Sequence, residues 1–495
     1  MSILKTLVAT LSLIIATQTI QAQVTAWKEN VNSVFLNLNT SQTIAHITTT
    51  ATQVGTYVVT FDGNCVSKPG DRIILAASNT PNWGINNGSI GIEAYDIDHH
   101  TNTFSHTQVY SDLPAGLHDF YAVAHNAIET DGDGTASVLG NLLVKFIPTT
   151  STTIIANTPI IATNAEVALV QTLGVTTINA PEAGKVIVRF DGVCVSSVGD
   201  RIVLAVSEDE DWHSNISVEA LDADVNYNSF SHTMVYNVPA GSSTFYAVAQ
   251  RNTHILGNGQ ASIYGNLVVE YVPNSSTTQS IHHATIDAED ANLRGSTMTL
   301  ADITINSPVP AKAIVHFDGD AYPGAGDMVV LAASNYNDWE SFDGNVAVEN
   351  APDQAFAKVF SHTRVYDIAA GGNSTFYALA QNYFKTYGTG IASVYGVLTV
   401  EIIATNNALS INDVENTTIA VNQNIDGTIT WNNANTITNL SQLQLLDITG
   451  KLVHTTPIQR LQQGNIEMNN LSNGVYFVQF LTTQKQIAAT FKVVK

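Results

Sequence analysis

The sequence predicts an all-β protein: three tandem β-sandwich domains of jelly-roll type, followed by a small C-terminal β-sandwich. Three observations carry this prediction. First, a set of motifs recurs three times. Phe61-Asp62-Gly63 returns as Phe190-Asp191-Gly192 and Phe317-Asp318-Gly319, at spacings of 129 and 127 residues. Phe104-Ser105-His106-Thr107 and Phe120-Tyr121-Ala122 each return twice in the same order. This period exceeds the ~20–50 residues of a solenoid unit and marks whole domains. Second, only 12% of residues are charged while 44% are hydrophobic. Abundant Thr, Val and Ile suit pleated, half-buried strands, and Asn and Gly suit turns. Third, the apolar runs are short and bounded by turn residues, and no useful window has a helical period.

The second copy shows the expected order of elements. Val186–Phe190 reads as a strand entering a turn at Asp191-Gly192. Gly199-Asp200 is another turn, and Ile202–Val206 is a nearly continuous apolar strand of a sandwich core. Ser217–Ala220, Thr233–Tyr236, Thr244–Ala249 and Asn266–Val272 supply further strands, with a turn at Pro239-Ala240-Gly241. The repeats are placed at residues 23–149, 150–274 and 275–405. Their joins near Pro148–Ser151 and Pro273–Ser276 are short and polar, so the copies read as beads with limited reach. About eight short strands per copy resemble the jelly rolls of the complement C1q and tumour necrosis factor superfamily, and no site is carried over from that resemblance.

The two ends differ from the repeats. Lys5, the apolar run Leu7–Ala16 and Ile20-Gln21-Ala22 form a secretory signal over residues 1–22, with cleavage after Ala22. That run is too short to span a bilayer, and no other stretch is a transmembrane candidate. Residues 406–495 carry a Leu443–Val453 hairpin with its turn at Thr449-Gly450. Leu471-Ser472-Asn473-Gly474-Val475-Tyr476 follows, and the chain ends in Lys492-Val493-Val494-Lys495. In this order, behind a signal peptide, these features resemble the type A C-terminal sorting domain of type IX secretion cargo in Bacteroidota. The resemblance implies the type IX machinery as a partner, removal of the tail, and release or attachment at the outer cell surface.

Charge excludes some partners. The chain carries 19 basic and 42 acidic residues, net −23. Residues 23–405 hold 13 basic and 37 acidic residues, whereas 406–495 hold five of each. Nucleic acid needs Lys and Arg to displace counterions and is a poor partner for such a surface. An anionic membrane surface is disfavoured for the same reason.

No catalytic constellation is visible: there is no Gly-x-Ser-x-Gly elbow, His-Glu-x-x-His or phosphate loop. His106, His232 and His362 lack a second ligand at fixed spacing and read as hydrogen-bonded structural histidines. Asp62, Asp191 and Asp318, and likewise Asp71, Asp200 and Asp327, read as turn residues beside glycine. Asp131 and Asp133, in Glu129-Thr130-Asp131-Gly132-Asp133-Gly134, are the calcium candidates of the first copy. The matching segments end at Asn258-Gly259 and Thr389-Gly390 and are neutral, which favours a solvated loop and no cofactor. Cys65 and Cys194 match Ala321 in the third copy, which fits a small buried apolar site.

Trp83, Trp212 and Trp339 recur in loops rich in Asn, Asp and Glu and are the ligand-binding candidates. An aromatic plate beside amides and carboxylates suits a sugar; the competing reading is a Trp plugging the sandwich edge, the usual habit of this residue. These features point to a secreted, surface-attached, non-catalytic protein with a binding or adhesive role. The alternative is a glycan-capture protein serving polysaccharide use. An enzyme with an unrecognised site is the third reading.

Overall fold

The structure, a computed structural model, describes residues 23–405 apart from 83–87, 95–100, 128–131, 212–214, 220–226, 253–256, 339–343, 351–355 and 384–387, together with segments between 419 and 494 of the tail. The first repeat consists of β1 (Thr25–Asn37), β2 (Gln42–Ala51), β3 (Gly55–Ser67), β4 (Arg72–Ser78), β5 (Ile90–Glu93), β6 (Thr101–Leu113), β7 (Gly116–Asn126) and β8 (Thr135–Pro148). They form two four-stranded antiparallel sheets, β1-β8-β3-β6 and β2-β7-β4-β5. The other two repeats reproduce both sheets.

Alternation explains the first-copy strands. In β2 the side chains of Ala45, Ile47, Thr49 and Ala51 are buried, while His46, Thr48 and Thr50 face out. β3 and β8 are instead buried on both faces over most of their length. One face of β3 sends Tyr57, Val59, Phe61 and Cys65 into the sandwich core. The other presents Val58, Thr60, Asp62 and Asn64, which are also buried.

That second buried face departs from the bead arrangement. The three sandwiches form one unit ending at Thr405, and the tail from Asn406 is a second unit. Short joins do not keep the repeats apart, because their outer sheet faces carry apolar residues that pack together and polar groups that pair between repeats. Val58, Leu143 and Ile147 of repeat 1 share a cluster with Ile314, Val365 and Ile403 of repeat 3. Ile187, Val235 and Val272 of repeat 2 share another with Ile281 of repeat 3. Covering such surface is worth ~25 cal/mol per Å².

The contacts run around a pseudo-threefold axis. Ser105 Oγ of repeat 1 donates to Asp191 Oδ2 of repeat 2 (3.4 Å), and Ser231 Oγ of repeat 2 donates to Asp318 Oδ2 of repeat 3 (3.2 Å). Asn141 Nδ2 of repeat 1 donates to the Thr363 carbonyl of repeat 3 (2.8 Å), which closes the ring.

Asp62-Gly63 and its two counterparts are therefore not turns. Each lies in the middle of a continuous strand: β3, Gly184–Ser196 or Ala311–Pro323. The glycine permits close approach. A Cβ on Gly63, Gly192 or Gly319 would stand 2.0 Å from the carbonyl oxygen of Leu139, Tyr264 or Tyr395. The preceding phenylalanines meet those of the second motif edge-on, in the pairs Phe61–Phe104, Phe190–Phe230 and Phe317–Phe360, with ring centroids 4.7 Å apart.

Both ends of the repeat unit lie at one end of the axis. Val24 and Ala26 pack with Ile403, and the amides of Ala404 and Thr405 donate to the carbonyls of Thr278 and Pro310. Asn37, Ser67 and Thr135 mark the opposite end, because β1 and β8 run antiparallel from Thr25 beside Phe146 to Asn37 beside Thr135.

The tail has a three-stranded and a four-stranded antiparallel sheet. Trp431, Leu443, Leu445, Tyr476, Val478, Phe480 and Val493 form its core. Leu440–Asp447 pairs with Leu452–Pro457 as the hairpin expected there, and the Asp447 amide donates to the Lys451 carbonyl at 2.9 Å.

Candidate functional site

The recurring motifs converge on the axis. Asp62, Asp191 and Asp318 are buried, one from each repeat, and each keeps one carboxylate oxygen without a partner among the described residues. Burial pushes Asp62 up to about 7 and Asp191 up to about 6, against the lowering effect of hydrogen bonds from Thr363 and Thr107 respectively. Asp318 is raised for the same reason, with Arg189 the main opposing charge.

A small axial cavity is lined by Thr60, Arg189 and His316 and also by Lys145, Glu270 and Glu401. Lys145 Nζ donates to Glu401 Oε2 at 2.8 Å and also to Glu270. Two carboxylates face one ammonium in a buried setting, so burial and the neighbouring Glu401 push Glu270 up to about 7.

His106, His232 and His362 are buried, and each Nδ1 accepts a backbone amide of its own second sheet: Ala77 (2.9 Å), Val206 (3.0 Å) and Ala333 (2.9 Å). An Nδ1 that accepts cannot carry a proton, so these rings are neutral. Burial lowers the first two to about 4 and the third to about 3. They join the two sheets of each sandwich.

Asp71, Asp200 and Asp327 do stand at turns, but as buried anchors for the loop before the last strand of each repeat. They accept the amides of Gly134 (2.9 Å), Gly259 (3.0 Å) and Gly390 (2.8 Å). Asp133 is paired with Lys68 and accepts from the Thr135 amide at 2.9 Å. Its partner in the calcium reading, Asp131, lies outside the described residues. Among the described residues, no group of three or more His, Cys, Asp and Glu is arranged to hold a metal ion. Cys65 and Cys194 are free and buried in the sandwich cores, as is Ala321. Trp83, Trp212 and Trp339 all lie outside the described residues.

At the end of the axis away from the termini, a cavity is lined by all three repeats, including Thr101, Glu219, Tyr227, Glu349 and Lys358. Glu93 pairs with Arg72 at 2.5 Å and accepts the Tyr227 amide of repeat 2 (3.3 Å). Glu349 accepts the Thr101 amide of repeat 1 (3.0 Å). Burial lowers the Lys358 amine, against the pull of Glu219 and Glu349. The sequence reading missed these axial groups because equivalent positions carry different residues: Lys145, Glu270 and Glu401 at one position, Thr60, Arg189 and His316 at another.

The fold defines an all-β protein with a repeat unit and a separate C-terminal module. Residues 421–495 match the secretion system C-terminal sorting domain family, which makes the tail a type IX sorting domain and the chain a cargo secreted or attached at the outer cell surface. No curated protein matches the sequence. Among solved structures, a β-glucuronidase of Faecalibacterium prausnitzii is 9% identical over 45% of this chain and 47% of its own, with a TM-score of 0.16. The chain thus spans about half the length of that protein. A structure of infectious bursal disease virus, Gt strain, is 9% identical over 79% and 84%, with a TM-score of 0.19. A putative secreted protein from Parabacteroides distasonis is 9% identical over 52% and 91%, with a TM-score of 0.10.

Proposed function

We propose that the mature protein is a non-catalytic, surface-attached binding protein whose three repeats act as one rigid head. The observation that carries this reading is the polarity of the head. Its N-terminal strand begins, and its chain leaves toward the sorting tail, at the same end of the axis. The opposite end, with the three-repeat cavity, is thereby turned from the attachment point. Asp191 and Asp318 accept hydrogen bonds that join repeats, and the three recurrent histidines join sheets.

The test uses natively processed protein on arrays of glycans and host-surface proteins, in parallel with glycosidase, esterase and peptidase assays. Retention on at least one array without turnover supports the reading. Turnover that disappears in a carboxylate variant overturns it in favour of an enzyme. In the glycan-capture form of this function, replacing Trp83, Trp212 and Trp339 by Ala abolishes retention on polysaccharide while melting is unchanged. Unfolding of that variant would assign the tryptophans to the core.

A further inference from the structure

The first strand of each repeat is interrupted at the same place. In β1 the register skips Val34 and Phe35, and in repeats 2 and 3 the skipped pairs are Thr163-Asn164 and Glu289-Asp290. The second residue of each pair is left-handed, with φ of 53° at Phe35, 49° at Asn164 and 46° at Asp290. Each bulge is pinned alike. The amide of Phe35, Asn164 or Asp290 donates to the hydroxyl of Ser137 (3.1 Å), Ser262 (3.0 Å) or Ser393 (3.0 Å).

Asn and Asp are the residues that tolerate this conformation, and a bulky side chain there is an outlier. Repeat 1 nevertheless places a phenylalanine in it, with the ring 86% exposed and Val34 beside it 59% exposed. Neither packing nor backbone preference accounts for the choice. Strain held at an exposed aromatic is the pattern of a site kept for contact.

Phe35 lies close to the end of β1 that is away from the termini, next to the pairing of Leu36 with Ala136. The exposed residues that flank it along the chain include Asn30, Asn32, Asn37 and Asn39, and across the strand end, beside Thr135, Asp133 is neutralised by its pairing with Lys68. No Asp, Glu, Lys or Arg occurs between Glu29 and Asp62, in a head that elsewhere is strongly acidic. One ring offers ~150–250 Å² of contact, far short of the ~1,200–2,000 Å² of a stable protein interface. A second copy of this chain is therefore a poor occupant. An apolar plate on a strand whose exposed neighbours are neutral amides fits the face and hydroxyl fringe of an uncharged sugar.

We propose that Phe35 and the exposed asparagines that flank it along the chain form a binding site for neutral glycan chains, present in repeat 1 alone. This rests on the binding role proposed above. The test compares natively processed wild-type, Phe35→Asn and Phe35→Tyr proteins on microcrystalline cellulose, chitin and curdlan, with polygalacturonate as an acidic control. Phe35→Asn installs the residue that repeat 2 already carries at this bulge, so the variant folds and its melting temperature rises.

The expected result is retention of wild type and Phe35→Tyr on at least one neutral polymer, a loss of about tenfold in affinity for Phe35→Asn, and no retention on polygalacturonate. Equal retention of Phe35→Asn overturns the site. So does failure of wild type on all three neutral polymers. If wild type is retained on the broader arrays while Phe35→Asn behaves identically throughout, the binding role survives and this site alone falls. If wild type is retained nowhere, both fall.

Discussion

Lys145 and Glu401 meet at 2.8 Å on the pseudo-threefold axis although 256 residues separate them in sequence. The ammonium comes from repeat 1 and also reaches Glu270 of repeat 2, so one side chain ties all three sandwiches. The ring has covalent joins between repeats 1 and 2 and between 2 and 3, but none between 3 and 1. The Lys145–Glu401 pair and the Asn141–Thr363 hydrogen bond lie across that unjoined seam. Replacing Lys145 by Met leaves two buried carboxylates without their cation and should cost about 3–5 kcal/mol. Combining it with Glu270→Leu and Glu401→Leu should restore most of the loss. Denaturant titration of wild type, the single variant and the triple variant checks this, and a single Lys145→Met variant as stable as wild type would refute the assignment.

Gly192 tests the close approach of strands in the middle sandwich. A Cβ there would stand 2.0 Å from the Tyr264 carbonyl oxygen and 2.7 Å from the Gly265 Cα. Both are backbone atoms and cannot rotate away. Gly192→Ala should therefore lower stability by several kcal/mol, on the order of the larger core lesions. A turn glycine at the same place, as the local sequence suggests, would cost far less. A melting temperature within about 2 °C of wild type would exclude the strand-crossing role.

The strands, the three copies and the sorting tail were legible because each rests on a local pattern that repeats or ends the chain. The packing of the copies was not. Asp191-Gly192 has the chemistry of a turn, and only the presence of Gly265 on the adjacent strand and of Ser105 in another repeat reveals otherwise. The axis escaped notice for a different reason. A position occupied by Lys145, Glu270 and Glu401 looks variable when copies are aligned, yet the variation is what sets a cation against the carboxylates. The bulge at Phe35 was invisible because nothing in Val34-Phe35 signals a left-handed residue.

Processing of both ends is the expected consequence of the export route. Intact mass of protein from the native cell surface or culture should correspond to a chain beginning at Gln23 and stopping between Ala404 and Asn412. The head remains whole under such a cut, because its last described contacts are those of Ala404 and Thr405. A surface-recovered protein that retains Lys495 would contradict removal of the tail.

Cys65 and Cys194 should label slowly in the native protein and rapidly once it is denatured. Both are fully buried, and burial pushes each thiol well above its ordinary value, which suppresses the reactive thiolate. Replacing either with Ala should cost only about 1 kcal/mol, since Ala321 fills the matching site in repeat 3 and the volume removed is small. Rapid native labelling would show that the cores open locally.

The axial aspartates make the last prediction, and its sign follows from two opposed groups. Asp62 and Asp191 rise to about 7 and about 6, and Asp318 rises with them, so the native chain holds extra protons above the ordinary carboxyl range. Their contribution is complete below about pH 4 and is lost as pH climbs through their folded values. His106 and His232 fall to about 4 and His362 to about 3, and His316 is lowered as well. Their contribution is complete above about pH 6.5 and is lost as pH falls through those lowered values. Between about pH 4 and 6.5 the two slopes oppose each other, and wild-type stability should change little. Asn at positions 62, 191 and 318 keeps a polar, uncharged group in each place and removes the first slope. Glu270 and Asp320, each raised to about 7, remain but are outnumbered by these four histidines together with His282 and His283, which burial also lowers. The triple variant should therefore gain stability steadily from pH 4 to 6.5 where wild type is flat. Melting curves of both proteins at half-unit intervals decide the matter, and parallel profiles would mean that the three carboxylates titrate normally.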